Sequence, residues 1–234
     1  MHHFRAPDAR RFISASLMIG IAFVIFGASF GVLSVSAGAS VAQSCAMSLL
    51  VFTGASQMSA VSVIASGGTV ASAFGGAVLL SGRNAVYGLA MSPVLKEGSL
   101  ASRLLGAQWV IDETTAVVSA ETDPATRRTA FWISGAILYA SWNIGTLLGA
   151  LVGSSINPSD FGLDAAFPVM FTAMIAPHLR TSAGRKAALF GAIAAVALAP
   201  FMPIGLPILV SALGMLFGMS PTSSDLNVKT DGAP

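Results

Sequence analysis

The sequence predicts an all-α integral membrane protein: a polytopic helix bundle of seven to eight transmembrane or partly re-entrant segments, with an internal repeat. Three observations carry this. Of the 234 residues, 54% are hydrophobic and only 9% are charged, where soluble domains carry about 25% charged residues. The apolar residues fall into runs of bilayer length separated by short polar stretches. Small residues recur at i, i+4 spacing inside those runs, as in helices that pack closely in lipid.

Segments 17–38, 44–65, 70–92, 131–153 and 186–203 are long enough, or nearly so, to cross a bilayer. Arg5, Arg10 and Arg11 precede the first run, and the apolar stretch 12–39 exceeds the 7–15 residues or so of a secretory signal. A retained first helix is expected. The chain then divides into a cytoplasmic N-terminal tail (1–16), one transmembrane transport domain (17–218) and a polar C-terminal tail (219–234). Segments 164–179 and 204–218 are short, with Pro168, Pro177, Pro200, Pro203 and Pro207 around them. That pattern marks broken helices in transporters, and equally a pair of tight helical hairpins.

Residues 104–120 either cross the membrane with Asp112 and Glu113 at mid-depth or lie at the interface. Basic residues decide between these only narrowly. If the segment crosses and the N-terminus is cytoplasmic, Lys96 and Arg103 alone fall outside. If it does not cross, the N-terminus falls outside and the count is almost as good. The basic N-terminal flank favours the crossing arrangement. A net charge of +2 does not indicate a nucleic-acid partner, because the basic residues sit at helix ends. Cys45 is single, and no Cys/His cluster has metal-ligand spacing. No cofactor, metal or catalytic role is expected.

Gly27-x-x-x-Gly31 and Gly145-x-x-x-Gly149, with Gly153 following, are packing faces first. Phe26–Gly31 followed by Val51-Phe52-Thr53 echoes Ile144–Gly149 followed by Met170-Phe171-Thr172. This faint duplication is of the kind from which transporters are built.

The polar groups inside the apolar runs are the candidate site. A charge at the bilayer centre costs about 2.5–3.5 kcal/mol on insertion scales, so it faces a cavity or a partner. Arg83 lies too deep in 70–92 to snorkel easily, and Ser81, Asn84 and Tyr87 lie near it on the helix surface. Asp112 and Glu113 are its natural partners. Thr53, Ser56, Gln57 and Ala60 form one polar-to-small face, and Gly54 can loosen the helix there. Interhelical hydrogen bonding alone explains that face equally well. Cation, anion and apolar wall together suit a zwitterionic amino acid, a proton relay or an ion path.

At these residues the chain resembles the AzlC-type branched-chain amino acid permease family, the large subunit of a two-component bacterial exporter. The resemblance covers roughly residues 15–218. It rests on Ser48–Gln57 (SLLVFTGASQ), Arg83 with Tyr87-Gly88-Leu89, Asp112-Glu113-Thr114, Gly145–Gly149, and Gly162-Leu163-Asp164 with Phe167-Pro168. It implies efflux of branched-chain or similar apolar amino acids, driven by protons, with a small AzlD-like membrane subunit as partner. The polar groups inside the apolar runs place the expected substrate site among Thr53, Ser56, Gln57, Arg83, Asn84, Tyr87, Asp112 and Glu113. The family reads Asn-x-Arg-His near the third span, where this chain reads Ser81-Gly82-Arg83-Asn84; the change bears on proton coupling or substrate identity. Two other classes compete: a passive channel or structural subunit, and an intramembrane serine hydrolase built on Gly54-Ala55-Ser56. The hydrolase needs a nearby histidine, and the chain offers only His2, His3 and His178.

Overall fold

The computed structural model describes residues 6–155, 172, 175–176, 178–202 and 206–214. All regular elements among them are helical. The chain forms two compact units, Met1–Val169 and Met170–Pro234. The first holds α1 (Ala6–Ser36), α2 (Val41–Leu50), α3 (Gly54–Ala65), α4 (Val70–Leu95), α5 (Leu100–Gln108), α6 (Asp112–Ser119) and α7 (Pro124–Gly153). The second holds a 3₁₀ turn (His178–Arg180), α8 (Ser182–Leu198), α9 (Leu206–Ser211) and a closing 3₁₀ turn.

The helices begin and end where local chemistry requires. Ser40, Thr69, Ser99 and Asp123 accept, through their side chains, the N–H three residues on; each satisfies a donor with no partner inside the helix. Pro124 then opens α7, where its missing N–H costs nothing. Gly38 and Gly67 follow the ends of α1 and α3 with φ of 96° and 80°, a left-handed turn that other residues adopt poorly.

The seam between α1 and α7 is the spine of the first unit. The glycines of the two small-residue faces lie against the opposite backbone. A Cβ on Gly27 would stand 2.5 Å from the Trp142 carbonyl oxygen, and one on Gly153 2.8 Å from Val32 Cα. Gly31 abuts Thr146, Gly145 abuts Val24, and Gly149 abuts Ala28, closer still. These contacts advance together along both chains, so α1 and α7 run parallel. They are also reciprocal: Gly27 meets Trp142 while Gly145 meets Val24, and Gly31 meets Thr146 while Gly149 meets Ala28. The spacing is 118 residues from 27 to 145, 24 to 142, 31 to 149 and 28 to 146. The repeat motif thus packs on its own copy about a local two-fold axis along the helices. The echo at Met170-Phe171-Thr172 lies largely outside the described residues.

Between α1 and α7 the chain makes two excursions that reverse halfway. α2 starts beside the end of α1, where Ser44 donates to Ser34 (2.8 Å). It descends along α7, where Ser48 donates to Thr146 (3.0 Å). After Val51-Phe52-Thr53 the chain turns back. Gln57 donates to the Met47 carbonyl (3.0 Å), and α3 climbs antiparallel to α4, with Ser56 beside Ser81 and Ser59 near Gly76. α4 then traverses the whole unit. Its end, Met91 and Val94, packs with Phe12, Val118, Ala130 and Phe131 near the starts of α1 and α7. α5 returns from that end as far as Gln108, whose side chain donates to the Leu49 carbonyl (3.2 Å). α6 runs back, and Glu121 just beyond it accepts from Arg11 (2.8 Å).

Two expectations are therefore corrected. Segment 44–65 is a helical hairpin whose two ends share a side, and 104–120 is not one continuous helix. It is a second hairpin entering from the other side. Apolar length alone cannot distinguish a crossing from a reversal. Lys96 and Arg103 consequently sit at the same end as Arg10, Arg11, Arg127 and Arg128, not opposite them. Among the described residues of this unit, the turns at the far end (37–40, 66–69 and 154–155) carry no charge. The near tie in the basic count disappears with that reassignment.

In the second unit α8 packs against α9 through glycines: a Cβ on Gly191 would lie 3.2 Å from the Ser211 carbonyl. Thr181 caps α8 through Gly184 N–H (3.0 Å). Most of segments 164–179 and 204–218, and the C-terminal tail, lie outside the described residues.

Candidate functional site

Each hairpin breaks where β-branched and aromatic side chains crowd the helix: Val51-Phe52-Thr53 in the first, Trp109-Val110-Ile111 in the second. Packing holds both breaks open. Phe52 is buried and its ring meets Tyr139 edge-on at 5.1 Å. Trp109 lies 5.8 Å from the same tyrosine. The Tyr139 hydroxyl donates to the Leu49 carbonyl (2.8 Å), which also receives Gln108. The two tips therefore meet around one carbonyl and one tyrosine of α7. The second tip is shaped by Thr114, which accepts the Ile111 N–H (3.1 Å) and donates to the Trp109 carbonyl (2.8 Å).

α4 ties the two tips together at mid-length. Ser81 and Ser56 share a hydrogen bond of 2.8 Å, on the first turn of α3. Half a turn further, Arg83 donates to Asp112 at 2.6 Å, on the first turn of α6. Both members of this ion pair keep about a third of their side-chain surface exposed (36% and 34%). The pair therefore borders open space and is not sealed in packing. Glu113 is the next residue on α6, pointing about 100° away.

The start of α3 has a different character. It carries no acidic residue and no side-chain cap, since Thr53 makes no such bond. The first N–H groups of a helix have no partner within it, and they give its start a partial positive charge. Gly54 is held against the Trp142 indole, where a Cβ would come within 2.8 Å. Buried polar atoms without partners gather nearby: Thr53 Oγ1, Gln57 Oε1, Trp142 Nε1 and Asn143 Oδ1.

The sequence-derived residues separate accordingly. Thr53, Ser56 and Gln57 lie at the first tip, Asp112 and Glu113 at the second, and Arg83 bridges to the latter. Asn84 is half-buried beside Arg83 and makes no hydrogen bond among the described residues. Tyr87 packs one turn further along α4, against the cluster around Phe12 and Met91. Sequence reasoning missed Gln108, Trp109, Tyr139, Trp142 and Asn143. The polar pair Tyr139 and Asn143, i and i+4 within an apolar run, was the available signal. Among the described residues no group of three metal-ligating side chains occurs.

Parallel long helices, two opposed hairpins whose tips meet beside α7, and an ion pair tying α4 to the second hairpin define a helical membrane protein of the kind that moves solutes. α1 and α7 are long and apolar enough to cross a bilayer, and Phe52, Val110 and Ile111 at the two breaks are buried. The profile of the AzlC protein family matches residues 18–156, so the chain belongs to that family. It is 28% identical over 206 residues to the inner membrane protein YgaZ of Escherichia coli (strain K12), covering 82% of this chain and 84% of that protein. It is 26% identical over 210 residues to an uncharacterized membrane protein of Helicobacter pylori (strain ATCC 700392 / 26695), covering 86% and 90%. No solved structure matches.

Proposed function

We propose that this chain is the large subunit of a proton-coupled secondary transporter that exports branched-chain or similar apolar amino acids across the bacterial inner membrane. The observation that supports the reading most is the meeting of two oppositely directed hairpin tips beside the Arg83–Asp112 pair. Discontinuous helices with their starts at mid-depth are how transporters bind charged solutes away from water.

In this reading the substrate's carboxylate sits at the bare start of α3, on the Gly54 and Ala55 N–H groups and the Thr53 hydroxyl. Its ammonium faces Asp112 or Glu113. Phe52, Tyr139 and Trp142 supply the wall for an apolar side chain. A proton on Asp112 releases Arg83, which supplies coupling. The charged end of the first unit is cytoplasmic by the distribution of Lys and Arg. The substrate class and the small AzlD-like partner are what the resemblance in the quoted motifs implies.

The test is direct. Cells expressing the chain with its partner are fed valine-containing dipeptides, and intracellular valine is measured. It should peak several-fold lower than in cells lacking the protein; equal accumulation rejects the proposal. The purified chain alone in liposomes should transport valine at least tenfold more slowly than with the partner, and full activity alone rejects the two-subunit reading.

A further inference from the structure

We propose that the cleft between the end of α4 and α5 binds one anionic glycerophospholipid of the leaflet at the charged end. The proposal needs the membrane placement of the chain but not its transport activity. The cleft measures about 300 Å³ and is lined by Gly88 and Ser92 of α4, by Lys96 just beyond it, and by Arg103, Leu104 and Ala107 of α5, among others.

Gly88, Ser92 and Lys96 are spaced four apart, so they form one stripe along α4 and its cap, with Leu95 beside it. Two of them are small, and nothing stands within 4 Å of where a Gly88 side chain would begin. The stripe runs about 12 Å from Gly88 to Lys96 at 1.5 Å per residue. This is a narrow apolar slot, open sideways, of the depth that the upper part of an acyl chain occupies.

Charge is confined to the mouth of the slot. Lys96 follows the last residue of α4 and Arg103 stands on the first turn of α5. Both are exposed. Of the other arginines at this end, Arg11 pairs with Glu121 and Arg128 with Glu97, while Arg10 and Arg127, which do not line the cleft, form no ion pair among the described residues. Lys96 and Arg103 form no ion pair among the described residues. Two free cations above a slot walled by Gly, Ala, Ser and Leu match an amphiphile with a phosphate head and an aliphatic tail. Basic pockets between helices at the membrane surface recognise anionic lipid headgroups in this way. A soluble anion would use the cations but would leave the slot empty.

Native mass spectrometry of the purified, delipidated full chain tests this, with phosphatidylglycerol, phosphatidylcholine and inorganic phosphate as probes. Wild type should hold one phosphatidylglycerol, at least fivefold above phosphatidylcholine, and phosphate should not displace it. Lys96→Gln with Arg103→Gln should lower occupancy at least fivefold. Ala107→Phe, which fills the slot and keeps both cations, should do the same, while Arg10→Gln at the same end should not. Circular dichroism identifies any variant that fails to fold, and the other then decides. Unchanged occupancy in a folded slot or cation variant, equal binding of phosphatidylcholine, or displacement by phosphate overturns the proposal.

Discussion

Hairpin α2–α3 starts from Ser40, and hairpin α5–α6 starts from Ser99, 59 positions later; their breaks begin at Val51 and at Trp109-Val110. Both are capped by a serine, both reverse at β-branched residues, and both end near Leu49 and Tyr139. They enter from opposite ends. Their burial differs: Ala55 to Met58 are buried in α3, whereas Gly106 alone is buried in α5. Their charge differs more. The start of α3 carries no ionisable side chain, so its backbone dipole is available to an anion. The start of α6 carries Asp112 and Glu113, which complement that dipole and make the tip anionic overall. The same backbone device thus carries opposite charge at the two helix starts, and the proposed function sets them on either end of one substrate. That pairing suits a zwitterion, and neither hairpin alone could provide it.

The sharpest way to break this comparison is all-or-none. In a Cys45→Ala background, single cysteines replace Ser66 at the far end and Ala125 at the charged end. An impermeant thiol reagent added outside intact cells should label the first and leave the second unlabelled. Labelling of both, or of the cysteine at 125 alone, refutes opposed hairpins with a cytoplasmic charged end.

The next effect tests the charge difference. Arg83→Ala and Asp112→Asn should each lower transport at least tenfold, because each leaves a charge at mid-depth without its partner. The double variant should be less impaired than the two losses combined, a coupling of about 1–3 kcal/mol. Glu113→Gln is run in parallel with Arg83→Ala. If losses add for Asp112, the 2.6 Å pair does not act as a unit.

A smaller effect probes the difference in burial. Gln57→Leu removes the bond that holds α3 against α2 and should cost about 1–2 kcal/mol in thermal unfolding. Gln108→Leu removes the more exposed link between the tips and should cost well under 1 kcal/mol. Equal costs would mean that the two hairpins are held with the same firmness.

The sequence by itself determined that the chain lives in lipid, since so few charges cannot solvate a surface. It marked two packing faces, because Gly27, Gly31, Gly145, Gly149 and Gly153 let another backbone approach closely, but it did not show that the two faces meet each other. It picked out Arg83 and the carboxylates that could neutralise it, because an isolated charge in hydrocarbon requires a partner. The kinship between the two glycine faces was also legible, whereas the helix breaks at 51–53, just before the Gly54 expected to loosen it. What only the tertiary structure decided was direction. A run of twenty apolar residues has the same hydropathy whether the chain continues across or turns back, so the reversals at 51–53 and 109–111 could not be read from composition. The sides of Lys96 and Arg103 followed from those reversals. Distance along the chain hid the rest: Tyr139 stands 90 residues from the Leu49 carbonyl that it holds. Packing of three helices, more than any local preference, brings them within 2.8 Å.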